Sequence, residues 1–228
     1  LSRGSVERFY AYNSSTVNIS GGSVNYLSVC DLRLNGPQRV NITKWGRVKE
    51  IKLSVLLEGN EHLNYAKSFS KSDLAMFGVQ AAPGTVDAVS ETTTFTAHNA
   101  SSLSVSGGHT TIDAYDSSAV NISGGSVNLQ ALDNSSVDIS GGSVYLQALG
   151  SSRVNVSSGI LSSLNSCDSS NVNISGGSID GKSFAYDSST VDISGGTMYQ
   201  DFYANDTSTV NFSGGSVIEK NISASGSS

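Results

Sequence analysis

Apolar residues in most of this chain fall on alternate positions, and the alternation restarts at a near-fixed interval. From Val120 to Ala131 the apolar places are Val120, Ile122, Val127, Leu129 and Ala131, with Ser-Gly-Gly-Ser between the two runs. Period 2 is the mark of a strand with one face turned inward. Near copies stand at 17–24, 137–144, 172–179, 191–198 and 210–217. A weaker one lies at 103–109, and in an altered one at 154–161 the first glycine has become Ser158. Taking Gly107, Gly124, Gly141, Ser158, Gly176, Gly195 and Gly214 as equivalent, the steps are 17, 17, 17, 18, 19 and 19 residues by subtraction.

Two short strands and two turns cannot bury a core alone, so equivalent units must stack. Strand then lies on equivalent strand about 4.8 Å away. The expected fold is all-β: a parallel β-helix (β-solenoid) of 17–19 residues per coil, right-handed by the general rule for parallel crossovers. High β-branched content and the lack of a 3.6 period exclude a helical solenoid. Ser-Gly-Gly is turn chemistry because glycine accepts positive φ. Asp-Ser-Ser and Asp-Asn-Ser-Ser, at Asp116, Asp133, Asp168 and Asp187, mark the second turn. The interior should hold Val120, Ile122, Val127, Leu129 and Ala131 over Val137, Ile139, Val144, Leu146 and Ala148. Outside runs a column of Asn121, Asp138, Asn155, Asn173, Asp192 and Asn211, read as a solvated polar face.

Three segments follow. Residues 1–31 form N-terminal coils, 32–100 form degenerate coils with a basic loop or insertion, and 101–228 form the regular array. The middle segment holds Pro37, Pro83, Trp45 and eight of the thirteen basic residues, Arg33, Arg39, Lys44, Arg47, Lys49, Lys52, Lys67 and Lys71. Within it 72–80 reads as a short helix capped by Ser72 or Asp73. The array carries eleven acids against Arg153, Lys182 and Lys220, so the basic segment complements it. The simpler expectation is a loop covering its own solenoid; the sharper one is a contact between molecules.

Net charge of −6 argues against nucleic acid as partner. No apolar run is long enough for a membrane span. Cys30 and Cys167 are too few for a disulfide framework. At one strand spacing per coil they should lie roughly 19 Å or more apart, beyond disulfide reach, so both are expected to be buried single thiols. His62, His98 and His109 lack metal-ligand spacing and read as loop histidines. The acids Asp31, Asp116, Asp133, Asp168 and Asp187 read as turn formers. No catalytic, cofactor-binding or metal-binding residue is assigned, no cofactor is expected, and the chain reads as a non-enzyme.

Asn-x-Ser/Thr occurs eleven times, most of them because the repeat Val-Asn-Ile-Ser contains the acceptor by construction. Asn18, Asn121, Asn173 and Asn211 are the candidate glycan acceptors. At the ends, Gly215 to Gly4 spans 13 + 4 = 17 positions if tail is joined to head. Leu1, Arg3, Val6, Ile222 and Ser228 are therefore the candidate assembly interface for head-to-tail stacking into an open filament. The alternative is a larger solenoid of which this is a part.

The repeat Ser-Ser-x-Val-Asn-Ile-Ser-Gly-Gly-Ser-Val resembles the short repeats of bacterial cell-surface and secreted β-solenoids, in the style of autotransporter adhesin passengers. That resemblance implies an extracellular or cell-surface place and a structural or adhesive role, as a fibre subunit or stalk, with self and surface glycans as partners. It carries over no catalytic residue. A second class is a carbohydrate-binding or carbohydrate-active β-helix protein, which a groove with clustered acids near 32–100 would favour. Ice binding, ranked third, needs a flat threonine face, whereas this face mixes Ser, Asn, Asp, Arg153 and Thr190.

Overall fold

In the computed structural model of the chain, residues 1, 3–12, 15–33, 40–42, 47–58, 61–65, 79–81, 92–218 and 221–226 are described. Every regular element among them is a strand. In chain order these are β1 (Ser5–Ala11), β2 (Val17–Ile19), β3 (Ser23–Leu32), β4 (Val40–Ile42), β5 (Arg47–Leu57), β6 (His62–Tyr65), β7 (Val79–Ala81), β8 (Thr92–Ala97), β9 (Ser102–Ala114), β10 (Ala119–Ala131) and β11 (Ser136–Ala148). They continue as β12 (Arg153–Val156), β13 (Ile160–Ser166), β14 (Asn171–Ile174), β15 (Ser178–Ile179), β16 (Ser183–Ala185), β17 (Thr190–Ile193), β18 (Thr197–Met198), β19 (Phe202–Ala204), β20 (Thr209–Phe212), β21 (Ser216–Val217) and β22 (Ile222–Ala224). Two compact units form: Leu1–Leu57 with Lys67–Thr96, and Glu58–Ala66 with Ala97–Ser228. Each is a parallel β-solenoid.

In the larger unit the register follows the repeat. Val120 pairs with Val137, then Val154, Val172, Val191 and Val210. On the long side Val144 leads to Leu161, Ile179, Met198 and Val217. Inward residues are sealed: Ile122, Ile139, Val156, Ile174 and Ile193 are each 2 % exposed or less. The steps of 18 and 19 residues do not disturb this core. Extra residues are shed outward at one corner, as at 180–182, which splits the long side into β15 and β16. The inner pairing resumes beyond it, with Leu164 on Ser183 and Ser183 on Phe202. Small Ser183 beneath large Phe202, both at 0 % exposure, is the large-on-small complementarity that fills a core without voids.

The glycine pair forms a single line from coil to coil. A Cβ on Gly142 would come 2.8 Å from Gly125 O, and one on Gly125 would come 2.8 Å from Gly108 O. Both hold φ near +90°, which disfavours any other residue. In β9, β10 and β11 the strand runs through this corner with a shifted register, so Ser-Gly-Gly there acts as a bulge and not as a turn between separate strands.

One buried column went unseen in the sequence. Ser101, Ser118, Ser135, Ser152, Ser170, Ser189 and Ser208 each lie inside the second turn at 1 % exposure or less. Their N–H groups close the turn, for example Ser118 N to Tyr115 O at 3.0 Å and Ser189 N to Tyr186 O at 3.1 Å. The later hydroxyls are bonded as well: Ser170 Oγ meets Ser166 Oγ at 2.8 Å, and Ser208 Oγ donates to Asn205 O at 2.6 Å. The earlier four, Ser101 to Ser152, have no side-chain partner.

In the smaller unit β1 pairs with β3 and β3 with β5, stacking Val6, Val24 and Val48. A second sheet stacks Val17, Val40 and Val79 in β2, β4 and β7. Ile19, Val24, Leu27, Val29, Val40, Leu53 and Phe95 are fully buried. The helix expected over 72–80 is contradicted at its end, because Val79 and Gln80 lie in β7; its remaining residues, 72–78, lie outside the described ones. Asp31 lies in β3 and not in a turn, and His62 and His109 lie in β6 and β9 and not in loops. At Val79, His62 and His109, parallel pairing with Val40, Ser102 and Ser126 overrides the local signal.

Candidate functional site

The second turn builds an axial row of acids. Asp116, Asp133, Asp168, Asp187 and Asp206 all hold φ between 52° and 59°, and Asn99 (φ 55°) and Gly150 (φ 65°) share their place. Asp, Asn and Gly are the residues that tolerate the left-handed region. Each carboxylate reaches back one coil to a backbone donor. Asn99 N donates to Asp116 Oδ2 at 3.1 Å, Gly150 N to Asp168 Oδ2 at 2.8 Å and Asp168 N to Asp187 Oδ2 at 3.1 Å. Asp116 also meets His98 Nδ1 at 3.1 Å. The Asn99 N–H first, and His98 second, hold its carboxyl below the usual range against a desolvation that raises it. The acids thus bind their own backbone, and among the described residues no group of three or more His, Cys, Asp or Glu could hold a metal ion.

The outer face of the short strands carries a second row. Asn173 Nδ2 donates to Asn155 Oδ1 at 3.2 Å, and Asn155 Nδ2 donates to Asp138 Oδ1 at 2.9 Å. Asn211 Nδ2 donates to Asp192 Oδ1 at 2.7 Å. The interleaved aspartates divide the row into short relays, each ending on an aspartate as its acceptor. All four candidate glycan acceptors, Asn18, Asn121, Asn173 and Asn211, are exposed. Two of them are engaged: Asn173 and Asn211 use Nδ2, the atom a glycan would occupy, in the ladder.

Beside this ladder lies a polar concavity of about 610 Å³. Arg153, Asn155, Asn171 and Asn173 line it together with the turn serines Ser151 and Ser169. Arg153 is exposed and sits in the outward row Ala119, Ser136, Arg153, Asn171, Thr190, Thr209.

On the long side, Phe184 stacks on Tyr203 at 5.2 Å and on Tyr186 at 5.8 Å between ring centroids. Tyr203 Oη donates to Asp201 Oδ2 at 3.2 Å, and the Asp201 charge raises its pKa. Cys30 and Cys167 form no disulfide but are half-buried rather than buried. Burial first, then Asp187 and Asp168, push the Cys167 thiol up.

The proposed assembly residues fall on outer rows of the two units. Leu1 O accepts Ser20 N at 2.9 Å and Gly21 N at 3.2 Å, and Val6 pairs with Val24; Leu1 and Val6 are half-buried and Arg3 is exposed. Ile222 pairs with Phe202 and is 42 % exposed. Phe212 and Val217 are likewise 38 % and 36 % exposed, whereas their neighbours one coil back, Ile193 and Met198, are 2 % and 1 %. Ser228 lies outside the described residues. No helix among the described residues is long and apolar enough to cross a membrane.

The fold and these rows define a parallel β-solenoid whose outward side chains pair along its axis. Compared with protein-family models, curated proteins and solved structures, the chain matches none.

Proposed function

We propose that the chain is a non-enzymatic structural protein of the extracellular space, part of a surface fibre or adhesive stalk that grows head to tail. One observation carries this reading: outward side chains of successive coils bond to one another, Asn173 to Asn155, Asn155 to Asp138 and Asn211 to Asp192. A second copy laid against Phe212, Val217 and Ile222 would bury their apolar surface, at about 25 cal/mol per Å². The edge carrying Leu1 and Val6 on a second copy supplies the same strand direction and the same inward apolar rhythm. A heterologous contact of that kind does not close and gives a filament. The axial ladders support the mechanical role, since bending a solenoid must break bonds between coils. The low share of charged residues, 14 %, and the abundance of Ser, Asn and Gly support the extracellular assignment.

Electron microscopy over a concentration series tests the reading. Filaments should appear as concentration rises, and Ile222→Asp or Val6→Asp should leave single particles with unchanged circular dichroism. Single particles at every concentration, or filaments that survive both substitutions, overturn it.

A further inference from the structure

The coil that carries Arg153 departs from the repeat in three places at once. Its turn has Gly150 where the coils on either side have Asp133 and Asp168; its outward row has an arginine where the others have Ala, Ser, Asn or Thr; and its corner has Ser158 for glycine. A cation has been gained and the nearest turn carboxylate lost in the same coil. Departures of this kind in an otherwise consistent pattern mark functional positions.

The side chains around Arg153 fit one ligand chemistry. Arg153 makes no ion pair among the described residues, and Asp138 in the next coil is occupied by Asn155 Nδ2 at 2.9 Å. Asn171 Oδ1 accepts from Asn173 at 2.9 Å, which engages its oxygen and leaves its two amide N–H donors for a ligand. An arginine fork pairs bidentately with a carboxylate. With a single cation, and Asp138 near by, a monoanion suits the site better than a dianionic phosphate. Amides and hydroxyls both donate and accept, as sugar hydroxyls do. A volume of about 610 Å³ lies in the range of small-molecule sites, about 300–1,000 Å³.

We propose that this concavity binds a uronic-acid residue of an acidic polysaccharide, its carboxylate on Arg153 and its hydroxyls on Asn171, Asn173 and the lining serines Ser151 and Ser169. The site names the glycan partner of an adhesive protein but does not depend on head-to-tail growth, because binding is read on single molecules.

Calorimetric titration of the full chain with a galacturonate trisaccharide is the test. Saturable binding that weakens with salt is expected. Arg153→Ala should weaken it at least tenfold, Arg153→Lys less, and Asn171→Ala about threefold, while Thr190→Ala, in the same row, leaves it unchanged. Circular dichroism of each variant separates lost binding from lost fold. The methyl-esterified trisaccharide should not bind. No binding to the wild-type chain, equal binding of the ester, equal affinity in Arg153→Ala, or binding of a sulfated glycan only would each overturn the assignment. Filament formation is scored separately by microscopy, so loss of either property leaves the other standing.

Discussion

Ser135→Ala should stabilise the fold and Ser189→Ala should weaken it, although the two serines hold the same place in their coils. Both are completely buried, at 0 % exposure. Ser135 Oγ has no partner. Ser189 Oγ donates to Tyr186 O at 2.7 Å and lies 3.0 Å from Ser166 O. An unpaired buried hydroxyl costs about 1–3 kcal/mol, whereas a satisfied one contributes about 1 kcal/mol. Deleting the oxygen from Ser135 leaves a void smaller than a methyl group, which offsets part of the gain. A net stabilisation of about 1 kcal/mol remains, against a loss of about 1 kcal/mol at Ser189. For a chain of this size each kcal/mol moves Tm by roughly 2–4 °C, so the two variants should melt roughly 4–8 °C apart. Thermal and urea unfolding followed by far-ultraviolet circular dichroism measures this. If Ser135→Ala lowers Tm as far as Ser189→Ala does, the unpaired hydroxyl inside the turn is refuted.

Further tests use the core, the acid row and the thiol. Ile139, at 1 % exposure, should tolerate no charge: Ile139→Asp buries an unpaired carboxylate and should take most of a domain's ~5–15 kcal/mol, while Asn121→Ala should shift stability by less than about 0.5 kcal/mol; equal midpoints for the two would place Ile139 outside. Asp187→Gly, which copies Gly150, should fold, whereas Asp187→Val should lose stability by about 1–3 kcal/mol through its left-handed backbone; a fully stable valine variant contradicts the φ of 56°. The Asp116 carboxyl is held low by Asn99 and His98, so its contribution is complete above the ordinary aspartate range and disappears as pH falls through the lowered value. A carboxyl titration by nuclear magnetic resonance should find that midpoint below the ordinary aspartate value, about 3.9, and rising in His98→Ala; a midpoint at or above that value removes this contact. The raised Cys167 pKa leaves less thiolate at a given pH, so alkylation near pH 8 should run slower than for a small-molecule thiol; an equal or faster rate contradicts its burial.

The solenoid was legible because two signals repeat together: the period-2 apolar runs and the glycine pair, whose spacing sets the coil. That places Val120, Val137, Val154, Val172 and Val191 in one inner column before any coordinate is seen. The serine column was not legible, since serine inside and serine outside look alike in a Ser-rich chain and only the turn geometry decides which hydroxyl points in. Gly150 and Asn99 could have been matched to the aspartates, because Asn, Asp and Gly are the residue set that shares a left-handed position. In the sequence alone Arg153 is only an irregularity of the face. Its meaning emerged with the loss of the turn acid in the same coil and the concavity beside it. Val79 and Gln80 misled because a capping-type serine and a short apolar run favour a helix locally, while pairing to β4 holds them in a strand.

Distance between spin labels at Asn121 and Asn211 tests the stacked coil most directly. The two sites lie in one outer row, separated by five steps through 138, 155, 173 and 192. With Cys30 and Cys167 replaced by serine, pulsed electron resonance should give one narrow distribution near 24 Å, five strand spacings of about 4.8 Å. A broad distribution, or a mean beyond roughly 40 Å, contradicts coils laid in register one upon the next.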